Sequence, residues 1–190
     1  NNTKIMKSGF RINKVTFKLR EGDKAGNTNE CAIGGKWVDK TTDDFFKGKR
    51  VVLFSLPGAF TPTCSSQQLP GYEEKYDELK KYVNEIYCIS VNDAFVMNAW
   101  ARDLDIKNVK MIPDGCGTFT RSMGMLVNKP KQGFGMRSWR YSAIINDGVV
   151  EEFFEEPGFN NESNDEDPYT VSSPDYVLQF LKSEEIAKSV

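Results

Sequence analysis

Along the chain, apolar and polar positions alternate between two rhythms. Residues 15–19 alternate in the manner of a half-buried strand. Residues 30–38 offer it a hairpin partner around Gly34 and Gly35. The stretch TTDDFFKGK predicts a short helix capped by Thr42 and ended by Gly48. Residues 50–56 form a continuous apolar run, the pattern of a central strand covered on both faces. In the helix that follows, Pro70 removes a hydrogen bond and predicts a kink. Beyond it Tyr72, Tyr76, Leu79 and Val83 recur at helical spacing and are expected to pack into the core.

The alternation continues to the end of the chain. Residues 85–91 read as a second central strand, and Asn92 or Asp93 as the cap of the helix AFVMNAWARDL. A short strand at 109–112, a turn at PDGCG and a short helix at 118–123 follow. After a Lys/Gly/Pro loop, residues 139–146 predict a strand whose partner, 149–154, returns through an Asp147-Gly148 turn of type I′. An acidic loop at 155–167 precedes a terminal helix at 174–188, capped by Ser173 with Pro174 in its first position. This order predicts one α/β domain over residues 1–190. Its architecture is a three-layer sandwich with a mixed β-sheet, an N-terminal β-hairpin and a C-terminal helix.

Composition narrows the chemistry. Of 190 residues, 39% are hydrophobic and 27% charged, enough for a sizeable core without disulfides or metal. A net charge of -2 lacks the basic footprint of a nucleic-acid or anionic-membrane surface. No apolar run reaches the length of a membrane span, and NNTKIMKSGF has no apolar core of a signal peptide. Cys31, Cys64, Cys88 and Cys116 are far apart and form no C-x-x-C, which fits a reducing, intracellular compartment. That compartment is the cytoplasm, or a mitochondrion or plastid if a presequence was removed, since the chain does not begin with Met. There is no histidine, so Ser-His-Asp, Cys-His and histidine-ligated metal chemistry are excluded.

The stretch PGAFTPTCSSQQLPGY joins the first central strand to its helix. Thr61 suits the N-cap and Pro62 the first helical position, which places Cys64 in the first turn. Unpaired backbone N–H groups and the helix dipole there favour a thiolate without histidine. A buried cysteine that merely fills space is the competing interpretation.

PGAFTPTC resembles the active-site loop P-x-x-x-[TS]-x-x-C of the peroxiredoxins, in the form found in the peroxiredoxin 5, type II or atypical, subfamily. CISVNDAFVMNAWARD and WRYSAIINDGVV resemble two further segments of that family in consistent order, over roughly residues 10–185. The resemblance implies a thioredoxin-like fold and reduction of H2O2 and organic hydroperoxides through a cysteine sulfenic acid, without metal, flavin or nucleotide. It implies that Cys64 is the peroxidatic cysteine and that Thr61 hydrogen-bonds the peroxide. It also implies that Pro57 shields the thiolate and that Arg140 fixes the thiolate and the peroxide oxygens. Arg137 competes with Arg140; on one strand the two would face opposite sides, and the R-Y-S context favours Arg140.

Two departures shape the expectation. Val171 stands about where many type II members carry a resolving cysteine, which predicts a one-cysteine mechanism with an external thiol. Glutathione with glutaredoxin is the expected donor and thioredoxin the runner-up. Gln68 stands where the family commonly has histidine. Cys88 is expected to be inert packing, and Cys116 accessible in its turn. Type II members form dimers through loops near the active-site helix, and the aromatic-rich segment here is compatible with a homodimer. The rivals are a thiol-disulfide oxidoreductase or glutathione-dependent protein on the same fold, and a non-enzymatic chaperone or redox relay.

Overall fold

The computed structural model describes residues 8–23, 34–162 and 167–189. Its centre is a five-stranded mixed sheet in the order β5-β4-β3-β8-β9. β3 (Arg50–Ser55), β4 (Glu85–Ser90) and β5 (Lys110–Pro113) run parallel. β8 (Tyr141–Asn146) lies antiparallel to β3, and β9 (Val149–Glu155) antiparallel to β8. The continuous apolar run of β3 is explained by its two covered faces. Val51 and Leu53 enter one hydrophobic cluster, with Phe17, Phe46, Tyr87 and Phe119. Val52 and Phe54 enter the other, with Tyr72, Leu79, Trp100 and Val177. Successive side chains on a strand point to opposite faces, so one sheet builds two cores and a three-layer α/β sandwich.

The first core is closed by β1 (Thr16–Glu21) and β2 (Lys36–Thr41), a separate antiparallel hairpin, and by the short α1 (Thr42–Phe46) and α5 (Thr118–Ser122). Residues 30–33 and Cys31 of the expected hairpin lie outside the described residues. The cap of α1 is Thr41 rather than Thr42. Its hydroxyl accepts from Asp44 N–H while the Asp44 carboxylate accepts from Thr41 N–H, a capping box that fixes the start one residue early. The second core is closed by α2 (Leu69–Glu74), α3 (Tyr76–Leu79), α4 (Ala94–Asp103) and α6 (Pro174–Lys188). Asp93 caps α4, and Ser173 caps α6 with Pro174 in its first turn. No helix among the described residues is long and apolar enough to cross a membrane.

Three expectations fail in instructive places. The Lys/Gly/Pro segment is not a loop but a hairpin of β6 (Leu126–Lys129) and β7 (Gly135–Ser138). The predicted strand at 139–146 is divided: β7 ends at Ser138 and β8 starts at Tyr141, so Trp139 and Arg140 lie between strands. The irregularity expected at Pro70 falls one turn earlier, as a π-helical turn over Cys64–Gln68. The Leu69 N–H bonds the Cys64 carbonyl five residues back. Pro70 has no N–H to continue an α-type ladder, and it sits in the first turn of α2, where none is needed.

Candidate active site

The site forms where the loop after β3 turns into its helix. Helical backbone begins at Pro62, and the Thr61 carbonyl accepts the first helical bond, from Ser65 N–H, at 2.9 Å. Thr61 therefore occupies the N-cap position, but its hydroxyl does not cap. It donates to the Gly58 carbonyl at 2.7 Å, which leaves its lone pairs to accept from an incoming O–H. Phe60, at φ 65, turns the chain sharply and exposes its ring. The loop is pinned from two sides. The Asn92 side-chain oxygen accepts from Ala59 N–H and from the Ser90 hydroxyl, and the Trp100 indole donates to the Ser65 hydroxyl.

Cys64 is fully buried at this corner. Arg140, only 2% exposed, places Nη1 at 3.4 Å from the Cys64 sulfur. The same nitrogen donates to the Gln68 amide oxygen, and Nη2 pairs with the Asp167 carboxylate. Burial opposes the Arg140 charge, but the facing Cys64 sulfur and Asp167 carboxylate more than offset it, so its pKa rises. The Tyr169 ring lies 5.8 Å from the guanidinium. Burial pushes the Tyr169 hydroxyl up to about 12, against the opposing pull of Arg140.

Arg137 also reaches the site, contrary to the expectation that only one arginine could. The break between β7 and β8 removes the alternation on which that expectation stood. Arg137 donates through Nη1 to the Pro57 carbonyl at 3.3 Å and through Nε to the Phe134 carbonyl at 3.2 Å. A Cβ on Gly58 would lie 2.4 Å from Arg137 Nη1, so a side chain there would push the end of Arg137 aside. Burial lowers the Arg137 pKa, and the nearby Cys64 sulfur acts in the opposite direction.

Pro57, Thr61, Pro62, Phe134, Arg140 and Asp167 line a cavity of about 210 Å³ leading to this corner. Of the four residues expected at the site, Pro57, Thr61 and Arg140 line this cavity, and Cys64 lies buried against Arg140 rather than in its wall. Sequence reasoning missed Asn92 and Trp100, whose signal was present in the segment SVNDAFVMNAW. It also missed Asp167, which carried no motif. Cys88 on β4 belongs to the same apolar cluster as Cys64, and burial pushes its thiol well above the ordinary range. Cys116 is exposed, and Val171 is half-buried ahead of α6. Among the described residues, no group of three or more His, Cys, Asp or Glu side chains converges to hold a metal.

A cysteine at a helix start, faced by a buried arginine from the junction ahead of β8 and set beside a mixed sheet, is the arrangement of a thiol-based protein of thioredoxin-like fold. Comparison with known proteins agrees. The Redoxin family matches residues 20–171. A peroxiredoxin from Rhizobium etli is 58% identical over 174 residues, covering 89% of this chain and 93% of that protein. The 1-Cys peroxiredoxin antioxidant protein of Plasmodium falciparum superposes with a TM-score of 0.81 at 37% identity, over 92% of this chain and 99% of the other. Reduced Prx3 of Vibrio vulnificus, solved with H2O2, gives 0.78 at 34% identity, over 94% of this chain and 97% of the other. The chain belongs to the peroxiredoxins of the Redoxin family, and is an enzyme of the thiol peroxidase class.

Proposed function

We propose that Cys64 is the peroxidatic nucleophile of a one-cysteine peroxidase that reduces H2O2 and organic hydroperoxides and is regenerated by an external thiol. The observation that carries this reading is the Arg140 guanidinium at 3.4 Å from the Cys64 sulfur, in a buried corner with a cavity in front of it. The Cys64 thiolate attacks the terminal oxygen of the hydroperoxide. The S–O bond forms as the O–O bond breaks, which leaves a sulfenic acid on Cys64 and an alkoxide or hydroxide that takes a proton from water. Negative charge moves from sulfur to the leaving oxygen. Arg140 and the N–H groups of the first helical turn provide fixed donors for it, and no solvent must reorganise. Thr61 accepts from the substrate O–H, and Pro57 keeps water from the thiolate. Gln68 cannot titrate; it accepts from Arg140 and so orients it, while the proton for the leaving group comes from solvent.

The return step uses glutathione: its thiolate attacks the sulfenic sulfur and expels hydroxide, which is protonated to water, leaving a Cys64–glutathione disulfide; glutaredoxin takes over the glutathionyl group and frees the Cys64 thiol, and a second glutathione regenerates glutaredoxin as glutathione disulfide forms. Val171 at the place of a resolving cysteine and the burial of Cys88 support this over an internal disulfide. The exposed Phe60 beside the site supports a homodimer through this loop. Peroxide consumption by the purified protein with glutathione and glutaredoxin, against thioredoxin with its reductase, tests the assignment. Turnover with glutaredoxin and little with thioredoxin is expected. The reverse order would move the donor to thioredoxin, and disulfide reduction without peroxide consumption would overturn the peroxidase.

A further inference from the structure

We propose that Asp167 is a specificity-determining residue that turns the Cys64 cavity against hydroperoxides carrying a negative charge. The inference rests on the peroxidase reading above. Asp167 is the one carboxylate among the described residues that line the cavity with Pro57, Thr61, Phe134 and Arg140. Its side chain is 45% exposed, whereas that of Arg140, its ion-pair partner, is 3% exposed. An approaching substrate therefore meets the anion at the mouth before the cation behind it. Much of the cation is already engaged: Arg140 directs Nη1 to Cys64 and Gln68 and Nη2 to Asp167, which leaves its buried Nε–H without a protein partner among the described residues. Lys129, the other cation of the wall, is buried with its ammonium 4.7 Å from the centre of the Trp139 ring.

Asp167 is held in place by the segment that follows it. The fully buried Glu156 carboxylate accepts from Thr170 N–H at 2.8 Å and Ser172 N–H at 2.9 Å, and from both hydroxyls. Glu156 also donates its backbone N–H to the Arg140 carbonyl at 3.1 Å. One carboxylate thus ties the strand end that carries Arg140 to the segment that carries its partner. A fixed anion next to a mostly apolar cavity acts on any charge that enters. A neutral hydroperoxide adds no charge until the O–O bond breaks. A carboxylate-bearing one adds a negative charge beside both the thiolate and Asp167, and is rejected by repulsion.

The test compares kcat/KM for cumene hydroperoxide and for its ring-carboxylated analogue, which share a shape and differ by one charge. The wild-type protein is expected to favour the neutral substrate by about tenfold at low salt, with the preference shrinking as salt is added. Asp167→Asn is expected to narrow the preference by about fivefold, through faster reaction of the anionic substrate, while Asp167→Glu keeps it. An equal change on both substrates, or an unchanged ratio, would overturn the proposal and leave Asp167 a support for Arg140. If Asp167→Asn fails to fold, a wild-type preference that is absent or indifferent to salt overturns it instead. Failure of the wild type to consume either peroxide would count against the peroxidase reading itself.

Discussion

Cys64 and Cys88 lie in the same apolar cluster, both without solvent exposure, yet their surroundings oppose each other. Cys88 sits mid-strand on β4, where burial pushes its thiol well above the ordinary range and the Cys64 sulfur adds to the effect. Cys64 sits at a helix start with a guanidinium at 3.4 Å, and that arginine also lines a cavity. Burial alone makes a cysteine inert. Burial beside a fixed cation is different, and it is on that contrast that the proposed role of Cys64 rests. In the function proposed above, Arg140 and backbone N–H groups take the part that histidine plays in other thiol enzymes.

The largest effect is expected from the nucleophile. Cys64→Ser should lower peroxide turnover on the order of 10³-fold or more, to the level of the donor thiol alone, in a coupled assay. Arg140→Ala comes next: loss of the donor to the sulfur and the leaving oxygen should lower kcat/KM by about 10²- to 10³-fold. Part of that loss would reflect the buried Gln68 oxygen left without its donor and the loss of the ion pair to Asp167, so thermal melting should be measured alongside. Cys88→Ala should leave turnover within about twofold and cost about 1–2 kcal/mol in denaturant unfolding, since it trades sulfur for a small cavity. A loss of activity comparable to that of Cys64→Ser would erase the contrast between the two cysteines. The smallest effect is expected at the exposed Cys116, where Cys116→Ser should change stability by less than about 0.5 kcal/mol and leave peroxide reduction intact.

Much of this was legible where local chemistry decides structure. Ser173 and Pro174 specify the start of α6, and the Asp147-Gly148 turn has φ of 50 and 77 as type I′ requires. The four expected site residues meet because one loop and one strand junction carry them. What was not legible depends on contacts distant in sequence. Pro130, Gly133 and Gly135 look like breakers; the first two lie in the turn of a hairpin whose strands are only four residues each, and Gly135 opens its second strand. The break at Trp139 and Arg140 is set by pairing on either side, and it lets Arg137 and Arg140 share one corner. The Asp167–Arg140 pair joins residues in different segments through the fold, and nothing in the acidic loop singles out that carboxylate.

The most direct measurement is peptide-mapped mass spectrometry of the reduced protein after one equivalent of H2O2 in the presence of a sulfenic-acid trap. The account predicts a single adduct on the peptide that contains Cys64, with the Cys88 peptide unmodified. An adduct on Cys88, a Cys64–Cys88 disulfide, or no rapid change at Cys64 would contradict it.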